Sequence, residues 1–348
     1  MNKMKAVVYR GPERLAVEEV DVPEISSQEV LVKVKAAGVC GTDVRIYHGR
    51  FRVPVKSGRI IGHEFSGDIV EVGKEVEGLA VGMRVTVRPI MHCGRCLYCL
   101  QGRTNICLSR PTLGYEYDGA FAEYVRIPVQ AIRNGNVFEL PENLSYEEAA
   151  ITEPLAACVN GAERSNIKPG DTVVIVGGGP IGLMHLQLAK LYGAGRVIVS
   201  EIKEERLKVA EDFGADLTVN PLEEDLVNSV KNLTQGYGAD VAIVAVGAPT
   251  AIEQAIRTVR KGGTVNLFGG CPTGSSITID PNIIHYGELI VTGTSGSTPY
   301  HHWKAVRLAS TGQVKLRPLI THVLPLERAV DAISMKERGE GLKHVLKP

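Results

Sequence analysis

At 348 residues the chain is too long for one small core and predicts two domains. Lys plus Arg equals Asp plus Glu at 39 each, so no net field draws it to nucleic acid or an anionic membrane. No uninterrupted apolar run approaches the roughly 18 residues of a membrane span, and the N-terminal MNKMKAVVYRG has no apolar leader segment, which predicts a cytoplasmic protein.

Up to about residue 150 the chain reads as short strands between turn residues: MKAVVYRG, RLAVEEVDV, EVLVKVKAAGV, FSGDIVEVG, RVTVRP and FAEYVRIP. This predicts a β-rich barrel or sandwich. From Asp171 the texture changes to strands (DTVVIV, RVIVSE, LTVN, ADVAIVAVG, TVNLFG, LIVTGT) alternating with amphipathic stretches (PIGLMHLQLAKLYGA, EERLKVAEDFG, LEEDLVNSVKNLT, TAIEQAIRTVRKGG). That alternation predicts an α/β fold, a doubly wound parallel sheet covered on both faces. After Thr294 it reverts, with helices near WKAVRLAS and LERAVDAISMKER and a last strand in KHVLKP. The expected division is therefore residues 1–153 with 295–348 in one domain and 154–294 in the other.

Cys93, Cys96, Cys99 and Cys107 lie within fifteen residues, in a lobe spanning 92–108. Thiolates two residues apart on a tight turn can face one tetrahedral zinc, and Gly94 and Gly102 allow the loop to turn that sharply. Disulfides need an oxidising compartment, and the spacing fits neither usual iron–sulfur run. A closed four-thiolate site is structural. Cys158 and Cys271, left over, read as buried thiols.

In DTVVIVGGGPIGL, Gly177, Gly179 and Gly182 form G-x-G-x-x-G between a strand and a helix that opens with Pro180 and Ile181. Glycine there permits the turn, the approach of backbone to a pyrophosphate, and tight helix–strand packing, while the helix N-terminus offers N–H groups to phosphate. Glu201, ending the second strand of this half, can accept bonds from both ribose hydroxyls and would repel the extra phosphate of NADP, so NAD is expected; Arg206 nearby is read as part of a solvated helix face. Val246 and Gly247, Phe268 and Gly269, and Thr292 to Thr294 follow strands of this sheet and are expected to wrap the cofactor.

Cys40 in GVCGTD, His63 in GHEFSGDIVEVG and Glu153 in AITEPLAA each have an ordinary reading: a small buried hydrophobe, a core histidine and a helix-end carboxylate. The surrounding motifs shift that reading. Gly62, Gly67 and Gly73 mark a strand that must approach another backbone, and Pro154 is expected to set the turn out of a short helix capped by Ser145 and Glu148.

Together CGTD, GHE-x2-G-x5-G, the four-cysteine lobe, EPLA, VGGGPIG and PLITHVLPLERA resemble, over essentially the whole length, the zinc-dependent medium-chain dehydrogenases, in their sorbitol (polyol) and threonine dehydrogenase branch. The resemblance implies a GroES-like β domain made from both chain ends, a Rossmann domain between them, two zinc ions, and a dimer or homotetramer built across the Rossmann sheet edge. It implies that Cys40, His63 and Glu153 hold the catalytic zinc, with Glu64 an exchangeable carboxylate, Asp43 orienting His63, and Thr42 taking the substrate proton. The implied reaction is hydride transfer from a secondary alcohol of a polyol, sugar or sugar acid to NAD, with L-threonine as the alternative substrate. A non-catalytic NAD-binding protein with one structural zinc, or a zinc-free quinone reductase relative, is the contrasting class.

Arg45 departs from the family, which often carries a histidine there; an arginine cannot shuttle protons near neutral pH. His48 or water is then the outer relay, or Arg45, Arg50 and Arg52 with His48 bind an anionic group. Trp303 is a candidate wall of the substrate cleft, and His285, His301 and His302 are expected at the surface or in a pocket wall.

Overall fold

The computed structural model describes residues 2–348. Its strands are β1 (Lys3–Gly11), β2 (Arg14–Asp21), β3 (Val30–Gly38), β4 (Arg59–Ile60), β5 (Glu64–Val72), β6 (Arg84–Val87), β7 (Tyr124–Ile127) and β8 (Val137–Glu139). They continue as β9 (Thr172–Val176), β10 (Arg196–Ser200), β11 (Leu217–Val219), β12 (Ala239–Val244), β13 (Val259–Leu267), β14 (Ile290–Gly293), β15 (Ile320–Pro325) and β16 (Lys343–Lys347). The chain divides into two compact units, one running to Ala156 and resuming at Ser297–Pro348, the other Ala157–Gly296.

In the first unit a sheet of order β15-β16-β3-β5-β6-β8 joins the two ends of the chain. The junction is antiparallel, with Val345 opposite Gly38 and Leu346 opposite Ala37, and β7 pairs on β3 as well. One core contains Phe65, Met91 and Phe121 together with Leu326, Ile333 and Leu346, so apolar side chains from both chain ends are buried against each other. The glycine reading of the GHE segment holds. A Cβ on Gly67 would stand 2.1 Å from the Lys33 carbonyl oxygen, and one on Gly73 2.5 Å from that of Ser26.

The second unit is a parallel sheet of order β11-β10-β9-β12-β13-β14, the order that reverses at its first strand and leaves a crevice there. β9, TVVIV, is buried at every position, as a strand covered on both faces must be. The helices Pro180–Leu191, Glu204–Asp212, Leu226–Leu233 and Pro249–Thr258 lie between these strands in the expected order.

Three local expectations are corrected. The last of these helices stops at Thr258 rather than running through RKGG, where β13 begins; glycines at 262 and 263 offer helix little and Gly262 has φ of +73°. Pro154 does not lead out of the short helix. Ser145 and Glu148 do cap that helix, Tyr146–Ala150, but Ile151 ends it and a second helix, Thr152–Ser165, starts at once, with Pro154 in its first turn, where a missing N–H costs nothing. The helix Gly41–Tyr47 after Cys40 was not anticipated, because GTDVRIY is too short to show a period.

Candidate active site

Cys40 leaves the end of β3 and stands at the N-cap of the helix Gly41–Tyr47, its backbone N–H donating to Asp43 Oδ2 at 2.8 Å. The other Asp43 oxygen, Oδ1, lies 3.5 Å from His63 Nδ1; both atoms are buried and neither has another partner. That arrangement orients the ring as the carboxylate partner of a metal-bound histidine does. Gly62, at φ of +92°, turns the chain into His63 where a Cβ would strike the Phe121 ring at 2.3 Å. Donor atoms of Cys40, His63 and Glu64 lie within 4.8 Å of one another.

The carboxylate in this trio is Glu64, not the expected Glu153. Glu64 is fully buried, and Gly38 makes room for it: a Cβ there would lie 2.3 Å from Glu64 Oε2. Its Oε2 is 2.5 Å from the buried Lys343 ammonium, while Oε1 has no hydrogen-bond partner. Glu153, in the first turn of Thr152–Ser165, stands outside the trio but feels the charges of His63 and Glu64; burial, reinforced by Glu64, pushes it up to about 7. A buried thiol, imidazole and carboxylate in reach of one ion, with a carboxylate oxygen lacking any donor, fit a zinc site of mixed ligands.

Two neighbours were not singled out from sequence. Tyr115 sets its ring 5.2 Å from that of His63 and 4.8 Å from Phe51, forming an aromatic flank. Arg88 is wholly buried and donates to the Ser297 and Ile90 carbonyls, and burial lowers it to about 10. Neither lies in a recognisable motif; an arginine ending a β-strand run carries no signal of burial.

The remaining expectations divide. Thr42 is in the first turn after Cys40 and partly buried. Arg45, Arg50 and Arg52 are exposed, and His48 lies between the carboxylates of Glu13 (3.3 Å) and Glu337 (2.8 Å). Trp303 is 47% exposed, stacked on Tyr300 and under Arg307. His285 is exposed, but His301 and His302 are buried: His301 completes the cap of Pro299–Ser310 with Thr298, and His302 stacks on Phe138 at 4.7 Å. Cys158 is buried and Cys271 only partly so.

The four cysteines form a second, all-sulfur cluster. Cys96 Sγ is 3.5 Å from Cys99 and 3.7 Å from Cys107, and Cys93 is 3.5 Å from Cys107 and 4.0 Å from Cys99. These separations exclude disulfides and match the edge of about 3.8 Å that four zinc–sulfur bonds of ~2.3 Å would give in a tetrahedron. Gly94 and Gly102 both adopt φ of +74°, as the tight loop requires. Backbone N–H groups of Leu108 and Cys99 pull the Cys96 thiol down to about 6, toward the thiolate that a metal needs.

In the second unit the glycine turn is as tight as its motif. Gly177 has φ of +106°, a Cβ on Gly182 would fall 1.8 Å from the Gly177 carbonyl oxygen, and Gly179 caps the helix that Pro180 and Ile181 open. Glu201 folds over this turn: Oε2 accepts from Gly178 N–H (2.8 Å) and Oε1 from Ile202 (2.8 Å) and Lys203 (3.1 Å). Arg206 is not solvated as expected but pairs with Glu201 at 3.7 Å. The Val246–Gly247 and Phe268–Gly269 turns press together, since a Cβ on Gly269 would lie 2.5 Å from Val246. Hydroxyls of Thr292 and Thr294 are engaged within the unit, the first accepting from Arg164 and the second donating to Asn266, both at 3.0 Å.

Fold and sites together define a zinc-binding dehydrogenase, and comparison with known proteins places the chain in that family. Residues 26–142 match the alcohol dehydrogenase GroES-like domain and 180–311 the zinc-binding dehydrogenase domain. The chain belongs to the zinc-dependent medium-chain dehydrogenases, oxidoreductases acting on CH–OH donors. It is 40% identical to L-threonine 3-dehydrogenase of Pyrococcus furiosus, over 92% of this chain and 91% of that one, and 36% identical to sorbitol dehydrogenase of Bacillus subtilis, over 99% and 97%. A zinc-binding dehydrogenase of Sinorhizobium meliloti solved with NADP superposes with a TM-score of 0.94 at 37% identity, covering all of both chains. Among the described residues no helix is long and apolar enough to cross a membrane.

Proposed function

We propose that the chain oxidises a secondary hydroxyl of a polyol, sugar or sugar acid with NAD, with one zinc held by Cys40, His63 and Glu64 and a second by Cys93, Cys96, Cys99 and Cys107. The observation that carries this reading is the buried trio of thiol, imidazole and carboxylate within 4.8 Å. Bound there, zinc supplies the Lewis acidity that lowers the pKa of a substrate hydroxyl, and NAD supplies the hydride acceptor. Asp43 fixes the His63 ring, Thr42 takes the substrate proton onward, and Glu153 is the second carboxylate facing the site. Tyr115 and Phe51 keep water from that flank.

Within that class a neutral polyol or sugar is favoured over the sugar acid because the buried cations near the trio are committed. Lys343 binds Glu64 and the Val39 carbonyl, Arg88 binds the Ser297 and Ile90 carbonyls, and the cations of the Arg45–Arg52 segment are exposed. NAD is favoured over NADP because the Glu201 carboxylate stands beside the glycine turn, where a ribose phosphate would meet its charge. The similarity to threonine dehydrogenases supports L-threonine as a second reading.

NAD and NADP reduction measured with polyols, sugar acids, polyol phosphates, threonine and simple alcohols tests these points together. Highest kcat/KM on a neutral polyol or sugar is expected; a clear preference for threonine or a phosphate ester would overturn the substrate class, and preference for NADP the cofactor. Metal analysis of fully loaded protein should find two zinc ions per chain, and one would remove the mixed-ligand site.

A further inference from the structure

The three-stranded sheet β2-β1-β4 buries one side of β1 in the main core, where Val7 and Tyr9 lie, and turns the other toward a smaller cluster of Met4, Ala6, Val8, Ile60 and Ala122. Beside that cluster is a cavity of ≈ 220 Å³, the space of about seven waters at roughly 30 Å³ each. Met4, Val8, Val20, Ile60 and Val125 give it an apolar wall, and Tyr117 and Tyr124 add to its lining. None of its lining residues belongs to either metal cluster or to the glycine turn.

Three arginines line the same cavity, Arg10, Arg59 and Arg126, against two carboxylates, Asp21 and Asp118. The carboxylates are already taken. Asp21 pairs with Lys3 at 2.8 Å, and Asp118 Oδ1 accepts from Arg59 Nη1 at 2.6 Å and from the Ile60 N–H at 3.2 Å. The arginines keep donors to spare. Arg59 Nε is buried with no hydrogen-bond partner, so Asp118 holds one end of that guanidinium fork and leaves its side edge open. Arg10 grips Glu18 through Nε and Nη2, with Nη1 turned toward Gly58 in the cavity wall, where a Cβ would stand 3.9 Å away. Arg126 reaches Glu29 only at 3.9 Å, beyond hydrogen-bond range.

A buried guanidinium N–H without an acceptor costs free energy that an anionic oxygen would recover, and a carboxylate meets the edge of the fork with two oxygens. The apolar wall fixes the rest of the ligand, because hydroxyls laid against Met4, Val8 and Ile60 would lose hydrogen bonds to water without replacement. Sugars and polyols therefore suit this cavity poorly, whereas an apolar body carrying one carboxylate satisfies both the wall and the arginines. We propose that the cavity is a second ligand site, which binds a small carboxylate with a compact aromatic or branched aliphatic body, its head on Arg59 with Arg10 and Arg126 beside it.

Isothermal titration calorimetry of the zinc-loaded protein in saturating NADH tests this, with phenylacetate as the probe and phenylacetamide, of the same shape without the charge, as its control. Phenylacetate should bind with a Kd of about 1 mM or tighter, and the amide at least about tenfold more weakly. Arg59→Gln should weaken phenylacetate binding by about tenfold, and Arg126→Gln, at a half-exposed position, by about threefold. Val20→Asp, which sets a negative charge against the cavity from the edge strand β2, should abolish binding and serves in place of Arg59→Gln if that variant fails to fold. Cys40→Ser should bind phenylacetate within about twofold of the parent, because no metal ligand takes part. No binding by the parent, equal affinity for the amide, or undiminished binding in the folded arginine and valine variants overturns the proposal. Loss of binding in Cys40→Ser overturns it as well, and would put the carboxylate on the mixed-ligand metal site instead.

Discussion

The two clusters able to hold a metal ion sit in the same unit and are built on opposite plans. The cysteine cluster is local: its four sulfurs come from one loop, with backbone N–H groups beside them and exposed leucines, Leu97, Leu100 and Leu108, around it. The mixed cluster is assembled from the end of β3 and the start of β5, buried, and surrounded by Asp43, Glu153, Lys343 and Tyr115. Four like ligands on one loop close a site and leave nothing to react. Three unlike donors from separate elements would leave one position of a tetrahedral ion open, with charged groups close behind them.

Exchanging one ligand in each cluster breaks the comparison most directly. Cys40→Ser should lower kcat/KM by about 10⁴-fold, some 5 kcal/mol of transition-state stabilisation, while thermal unfolding moves little. Cys96→Ser should do the reverse, lowering Tm by several degrees with kcat changed by less than about threefold. A Cys96→Ser enzyme that is fully stable but inactive would mean that the two clusters have been assigned the wrong way round.

Thr42→Ala should reduce kcat by about 10²-fold with both zinc ions retained, since a proton carrier is lost but no ligand. Unchanged turnover removes Thr42 from the mechanism. A smaller effect concerns acid stability. His302 in the first unit and His185 in the second are buried, and burial lowers each from 6.5 to about 3. Both are neutral when folded, so below pH 6.5 the unfolded chain binds protons that the folded chain refuses. Stability is therefore full above that pH and falls as pH drops toward 3, by about 2 kcal/mol per histidine at pH 5. Chemical unfolding at pH 7.5 and 5 should show the loss, and His185→Leu should lessen it; an equal pH dependence in the variant would show that the histidine is protonated when folded. The smallest change is expected at Glu201→Gln, which should raise kcat/KM for NADP relative to NAD by about tenfold.

Much of this was legible in the residues. The order of strands and helices in the second unit, the cysteine cluster and the glycine turn all rest on signals within thirty residues or fewer: alternation, spacing, and positions where only glycine avoids a clash, as at Gly182. The return of the chain end to the first unit was visible in its change of texture. Less visible were the burial of His301 and His302, the pairing of Arg206 with Glu201, and the tether on His48, because each partner lies far off in sequence or looks like a surface group.

The identity of the third ligand marks the boundary. From sequence, a cysteine, a histidine and carboxylates in these motifs could be read as one metal-binding pattern through the family resemblance, because residue type sets what a zinc ion accepts. The tertiary structure alone brings Glu64 within 4.8 Å of Cys40 and His63 and sets Lys343 beside it. That placement depends on β16 pairing with β3 across some three hundred residues of chain, on the space left by Gly38, and on the charges that packing brings within a few ångströms, none of which a linear pattern encodes.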